Sequence, residues 1–189
     1  MKKILMSLAA LAVAATMNAQ VWVGGEVGFT TNHTNGSDHT AKEFSIAPEI
    51  GYNLSDNLSV AIALGYGHTS DFDGTKFGIP GMTLSNVNAY SIKPYARYTF
   101  VKAGNFSAFV DGGLKYNTAH AQGVENNFNQ FGVFVTPGIA YSVSDKVTLV
   151  SHLGDGLYFN HTWVKDNVRS NGVGFKLLNG ISFGAYYNF

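Results

Sequence analysis

His68 and Ser70 stand two apart in the stretch "GHTSD". Residues two apart on an extended chain share a face, so a histidine base could sit beside a serine nucleophile. Such a pair works when a carboxylate orients the imidazole. Asp71 has the wrong parity, and Asp73 falls in a run of turn-forming residues. No acid stands beside His68, and a polar turn at a strand edge accounts for both residues. His33, Asp38 and His39 could be tried as metal ligands, but they lack dense ligand spacing. No metal and no cofactor is expected. The chain has no cysteine, which excludes disulfides, zinc-thiolate sites and thiol catalysis. Its formal net charge is zero, so no nucleic-acid partner is expected either.

What could position such groups is visible as a repeat. "APEIGYNLSDNLSV" (47–60), "KPYARYTFVKAGNFSAF" (93–109) and "TPGIAYSVSDKVTLV" (136–150) share one form. Each runs from a proline through alternating residues to a tyrosine, then a short polar turn, then a new alternating run. "FGAYYNF" (183–189) fits the same frame with Phe183 in the proline slot. The slots at 48, 94, 137 and 183 are spaced by 46, 43 and 46. Period-two alternation marks β-strands. Eight such segments are read at about 20–30, 43–54, 58–69, 86–100, 106–118, 129–142, 147–159 and 179–189. Short linkers (55–57, 101–105, 144–146) alternate strictly with long ones rich in Asn, Gly, Ser, Thr and His (31–42, 70–85, 119–128, 160–178). An even number of strands with alternating tight turns and long loops predicts an all-β, eight-stranded antiparallel up-and-down barrel that crosses a membrane. The start, "MKKILMSLAALAVAATMNAQ", reads as a signal peptide over 1–19, with cleavage after Ala15 as the second choice. The barrel domain then spans 20–189, with 10 basic and 12 acidic residues.

The two faces of the strands set the orientation. Placing the apolar face outward gathers Tyr52, Tyr98, Phe100, Tyr141, Tyr187 and Phe189 into one belt near the periplasm. Phe29, Phe44, Tyr66, Tyr90, Phe131 and Phe159 form a second belt near the outside. Two aromatic belts around an aliphatic band suit the outer surface of a barrel in a bilayer. Glu26, Glu49, Lys93, Arg97, Asp111 and Lys115 then face inward, and they are expected to pair because isolated buried charge is costly. His152 is expected to hydrogen-bond beside them, while His120 and His161 fall in loops. Inward glycines make room for Trp22, Tyr95, Phe109, Phe134 and Tyr186. Pro48, Pro94 and Pro137 face outward, and each removes one ladder donor.

At this point the sequence resembles the small eight-stranded outer-membrane β-barrels of Gram-negative bacteria, the OmpA/OmpX-like, porin-like barrels. The likeness runs from Gln20 to Phe189. Its most specific element is the C-terminus, where Ser182, Gly184, Tyr187 and Phe189 fill the places of a signal that the outer-membrane assembly machinery reads. The signal ending in "NAQ" looks like those of Bacteroides-type bacteria. The resemblance implies the outer membrane, with lipid and lipopolysaccharide around a monomer. It does not imply an activity, since one scaffold hosts many. A non-catalytic structural or surface-interaction barrel, meeting a host or phage surface ligand through its loops, is the leading expectation. Trp163, Lys165 and Arg169 in the longest loop (160–176) are the binding candidates, as residue types favoured at hot spots. The alternatives are an outer-leaflet lipid A hydrolase using His68 and Ser70, as some barrels of this size are, or a narrow porin-like channel.

Overall fold

A computed structural model describes residues 20–33, 40–70, 72–73, 83–84, 86–122, 127–164, 168–178 and 181–189. The strands are β1 (Val21–His33), β2 (Thr40–Asn53), β3 (Leu58–Ser70), β4 (Phe72–Asp73), β5 (Thr83–Leu84), β6 (Val87–Ala103), β7 (Phe106–Ala121), β8 (Phe128–Ser142), β9 (Val147–His152), β10 (Gly156–Val164), β11 (Val168–Lys176) and β12 (Ser182–Asn188). They build a closed antiparallel barrel of eight staves. β1, β2, β3, β6, β7 and β8 are six of the staves. β9 with β10 forms the seventh, and β11 with β12 forms the eighth. β4 and β5 make a separate two-stranded ribbon between β3 and β6. The barrel closes where β1 pairs with β12, from Trp22↔Asn188 to Val27↔Phe183.

The tight turns follow from their sequences. Ser55 in "SDN" accepts the Leu58 amide on its hydroxyl at 3.2 Å, and Ser144 in "SDK" accepts that of Val147 at 3.1 Å. The "VKAGN" linker is shorter than its sequence predicts. β6 runs on to Ala103, and Gly104 turns the chain at φ +60°. An irregularity between Thr99 and Val101 absorbs the extra residue.

Each of Pro48, Pro94 and Pro137 interrupts the ladder on one side. Pro94 pairs with Ile62, but Lys93 and Pro94 leave a gap on the β7 side. Pro48 pairs with Gly25, and a gap opens toward β3. At Pro137 the neighbouring stave itself is altered. Gly138 pairs with His152 and Val135 with Leu157, so two residues of β8 face four of the seventh stave. Gly154 and Gly156 carry the break at φ +101° and +63°. The eighth stave breaks at the matching height, where Leu178 has φ +57° and donates its amide to the Leu153 carbonyl at 3.0 Å.

The staves are longer at the loop end than the alternation suggests. His120 lies in β7 and His161 in β10, not in loops. Most of 160–176 is likewise strand rather than loop, and Trp163 pairs with Arg169 across β10 and β11. At these ends polar and small residues interrupt the apolar row, so the period is too broken for a sequence reading to detect.

Candidate functional site

The inner surface is built at the turn end by large rings set against residues without a side chain. A Cβ on Gly51 would lie 2.1 Å from the Trp22 ring, and one on Gly138 would lie 2.3 Å from the Phe109 ring. Trp22 stacks on Tyr186 with ring centroids 4.3 Å apart. Arg97 is threaded among these rings. Its guanidinium carbon is 3.9 Å from the Phe109 centroid and 5.1 Å from that of Tyr186. A planar, weakly hydrated cation is suited to such stacking.

Arg97 also makes a two-pronged ion pair. Its Nε donates to Asp111 Oδ1 at 2.7 Å, and its Nη2 donates to Asp111 Oδ2 at 2.8 Å and to the Tyr186 hydroxyl at 3.1 Å. Arg97 pairs with Asp111 across β6 and β7, so the register itself delivers the contact. His152 continues the chain of charge. Its Nε2 meets Asp111 Oδ2 at 2.7 Å, and its Nδ1 meets Glu26 Oε1 at 2.5 Å. A carboxylate oxygen at each ring nitrogen suits a protonated imidazole. Ser182 donates its hydroxyl to Glu26 Oε2 at 2.9 Å. Arg97 and His152 thus meet two carboxyl groups, linked from β6 to the last strand.

Only part of the expected six-charge network forms. Arg97, Asp111 and Glu26 are joined, and His152, expected only as a hydrogen-bonder, is the link between the carboxylates. Glu49 stands apart and accepts the Tyr95 hydroxyl at 2.6 Å. Lys93 and Lys115 form no ion pair with any described residue. The Lys93 ammonium instead sits 5.3 Å from the Tyr95 ring centroid and 5.6 Å from that of Phe134. Arg97 and Asp111 share one row of the wall, while the two lysines share another, whose acid, Glu49, lies beyond Ala63 and is turned to Tyr95. Below the Arg97 cluster a cavity of about 450 Å³ opens at the turn end, lined by polar groups that include Asn53, Ser59, Thr99, Lys102 and Asn188.

His68 and Ser70 share the outward face but do not meet. His68 Nδ1 lies 3.1 Å from Asn88 Oδ1, and Ser70 Oγ bonds to the Lys42 backbone amide at 3.3 Å. Trp163 also faces outward. It stacks on His161 at 5.6 Å and lies 6.3 Å from Tyr116. Together with Phe106, which packs on Tyr141 at 4.7 Å, these rings extend the two belts beyond the aromatics singled out in the sequence. Arg169 is exposed on β11. Lys165, Asp38, His39 and Asp71 lie outside the described residues, as does the 1–19 segment, and the His33 side chain is not described. At the C-terminus Tyr187 and Phe189 pack edge to face at 5.1 Å, and a Cβ on Gly184 would meet the Gly25 carbonyl oxygen at 2.8 Å.

Comparison with solved structures gives the same architecture. Neisserial surface protein A is 21% identical with a TM-score of 0.54, over 89% of this chain and 97% of that one. The outer membrane protein OprG from Pseudomonas aeruginosa is 10% identical with a TM-score of 0.53, over 90% of this chain and 96% of that one. No curated protein matches the chain. Residues 4–189 match the family described as "Outer membrane protein beta-barrel domain". With its eight closed staves and apolar outer wall, the chain belongs to that family of β-barrels of the bacterial outer membrane.

Proposed function

We propose that this outer-membrane barrel is a non-catalytic, monomeric surface-interaction protein, with its loop end outside the cell and its bore closed to solutes. The observation that carries this reading is the Arg97–Asp111–His152–Glu26 cluster packed among Trp22, Phe109 and Tyr186. An eight-stranded bore is only wide enough for side chains to fill, and the Arg97 cluster fills this one above the turn-end cavity. The separation of His68 from Ser70 argues against the hydrolase alternative. What remains for recognition is the loop end, where such scaffolds carry their chemistry. Its partner there is a ligand on a host cell or phage. Ser182, Gly184, Tyr187 and Phe189 serve as the signal for the assembly machinery, and lipid with lipopolysaccharide surrounds the belts.

The test compares cells with and without the protein. Lipid A mass spectra should be unchanged. Binding to host cells or phage should fall when segments 34–39 and 123–126 are replaced by short Gly-Ser linkers. An acyl chain missing from lipid A that returns with Ser70→Ala would overturn the reading.

A further inference from the structure

Among the described residues, the wall is not hydrogen-bonded all the way round at the loop end. Pairing between the first and eighth staves stops at Val27↔Phe183. Beyond it β1 continues to His33, paired only with β2, and β11 is paired only with β10. Two strand edges, Gly28–His33 and Val168–Lys176, therefore carry no ladder partner among the described residues. The apolar side chains beside this seam stand unusually clear of their neighbours. Phe29 is 71% exposed, Val173 77%, Phe175 65% and Phe183 65%, against 37% for Ile62 and 42% for Val135 on the paired wall. Backbone without partners is tolerated at membrane depth where it borders a water-filled cavity.

Behind the seam the lumen carries Lys93 and Lys115, with Asp155, Glu43 and Glu26 within electrostatic reach of Lys115, and Glu26 and Glu49 within reach of Lys93. Register places Lys93 directly opposite Lys115, between the pairs Ile92↔Tyr116 and Tyr95↔Gly113. Like charges in that position repel. Lys115 is exposed to the lumen and Lys93 half-buried, and neither makes an ion pair with a described residue. Lys176, on the lumen-facing side of β11, sits 5.7 Å from the Tyr158 ring centroid at the seam itself. The same row of the wall runs from Lys115 through Gly132 and Asn160 to Gly172. A Cβ on Gly172 would meet nothing within 4 Å. The nearest acid in the row on the other side is Glu49, beyond Ala63, and it is turned to Tyr95. The space is closed from beneath by the Arg97 cluster.

We propose that the lumen on the loop side of the Arg97 cluster binds a single-chain amphipathic anion, which enters sideways from the bilayer through the seam between β1 and β11. Its carboxylate or phosphate head lies between Lys93 and Lys115, and its alkyl chain lies along Phe29, Val173 and Phe175. The cations supply what the head needs, and the exposed apolar lips supply what the chain needs. The inference goes beyond the surface role proposed above and is independent of it.

The test uses the full barrel in lipid nanodiscs and dodecanoate labelled with carbon-13 at the carboxyl. Empty discs give the lipid-dissolved signal. A shifted carboxyl resonance from bound dodecanoate is expected. Lys93→Gln or Lys115→Gln should weaken binding about tenfold each, and the double variant about a hundredfold. Acetate and inorganic phosphate should bind far more weakly. Cysteines at Phe29 and Val173, in a chain with none of its own, allow the lips to be bridged by bis-maleimides of graded length. Bridging should slow loading. Heat-dependent gel migration shows that each variant is folded. No bound dodecanoate in the wild type, or full binding in the double variant, would overturn the site. Acetate binding as tightly as dodecanoate would remove the chain from the proposal. Unchanged loading of the bridged barrel would move the way in to the open loop end.

Discussion

Arg97 is held by a carboxylate on one side and by aromatic faces around it, so its loss removes two kinds of support. Arg97→Ala leaves Asp111, itself 1% exposed, facing His152 alone. Breaking a buried pair in this way costs about 3–5 kcal/mol. The lower end is expected here, because His152 still donates to Asp111. Urea unfolding in detergent should show the loss as a lower midpoint. A second test concerns room rather than charge. Gly51→Ala drives a methyl into the Trp22 ring and should cost about 1–3 kcal/mol. Gly172→Ala meets open space and should shift stability by no more than about 0.5 kcal/mol. Alternation alone placed Arg97 and Asp111 on the inner face, and it placed Trp22 there with glycines opposite. It did not make His152 the bridge between two carboxylates, because that contact needs the rotation and height of staves far apart in the chain. Nor did it show that Lys93 and Lys115 pair with no described acid: counting three acids against three bases ignores that Glu49, in their own row, is taken by Tyr95.

At the scale of the strand, apolar alternation located part of every stave. It failed at the loop end, where polar and small residues interrupt the apolar row. The hairpin of β10 and β11 is the clearest case. Its sequence "NHTWVKDNVRSNGVGFK" looks like a loop because His161, Asn171, Asn160 and Thr162 put polar groups on both sides. In the fold it is mostly paired strand, and Trp163 belongs to the outward belt with Tyr116 and His161. The two placements are separable by fluorescence. In a Trp22→Phe variant, Trp163 is the only indole of the chain. Lipids brominated near the headgroup should quench it strongly, and aqueous iodide should quench it weakly. The reverse order would return Trp163 to a solvated loop. The proline slots, read as a repeat, mark interruptions in the ladder. Their consequences differ because the breaks fall on different neighbours, and only the stave beside Pro137 gains residues.

At the scale of the whole barrel, two features act at different heights. The turn end is closed around its circumference by β12 and across its width by the Arg97 cluster. Among the described residues, the loop end has an unpaired seam and two lysines that form no ion pair. Folded barrel in detergent should give a β-type circular dichroism spectrum and run faster on a gel before heating than after. A bore blocked across its turn end predicts no large, steady conductance when the protein is placed in planar bilayers. The block is local, so it should be removable. Arg97→Ala combined with Phe109→Ala takes away the cation and the ring that fill the centre of one short section. The wall's ladders do not depend on either side chain, and the cavity of about 450 Å³ already reaches this section from the turn end. The double variant should therefore keep the gel shift of a folded barrel while showing small, resolvable current steps. With Lys93 and Lys115 along the path, those steps should favour anions. Steps of the same size in the wild type would mean that the cluster does not close the bore. A silent, folded double variant would place the barrier at another height.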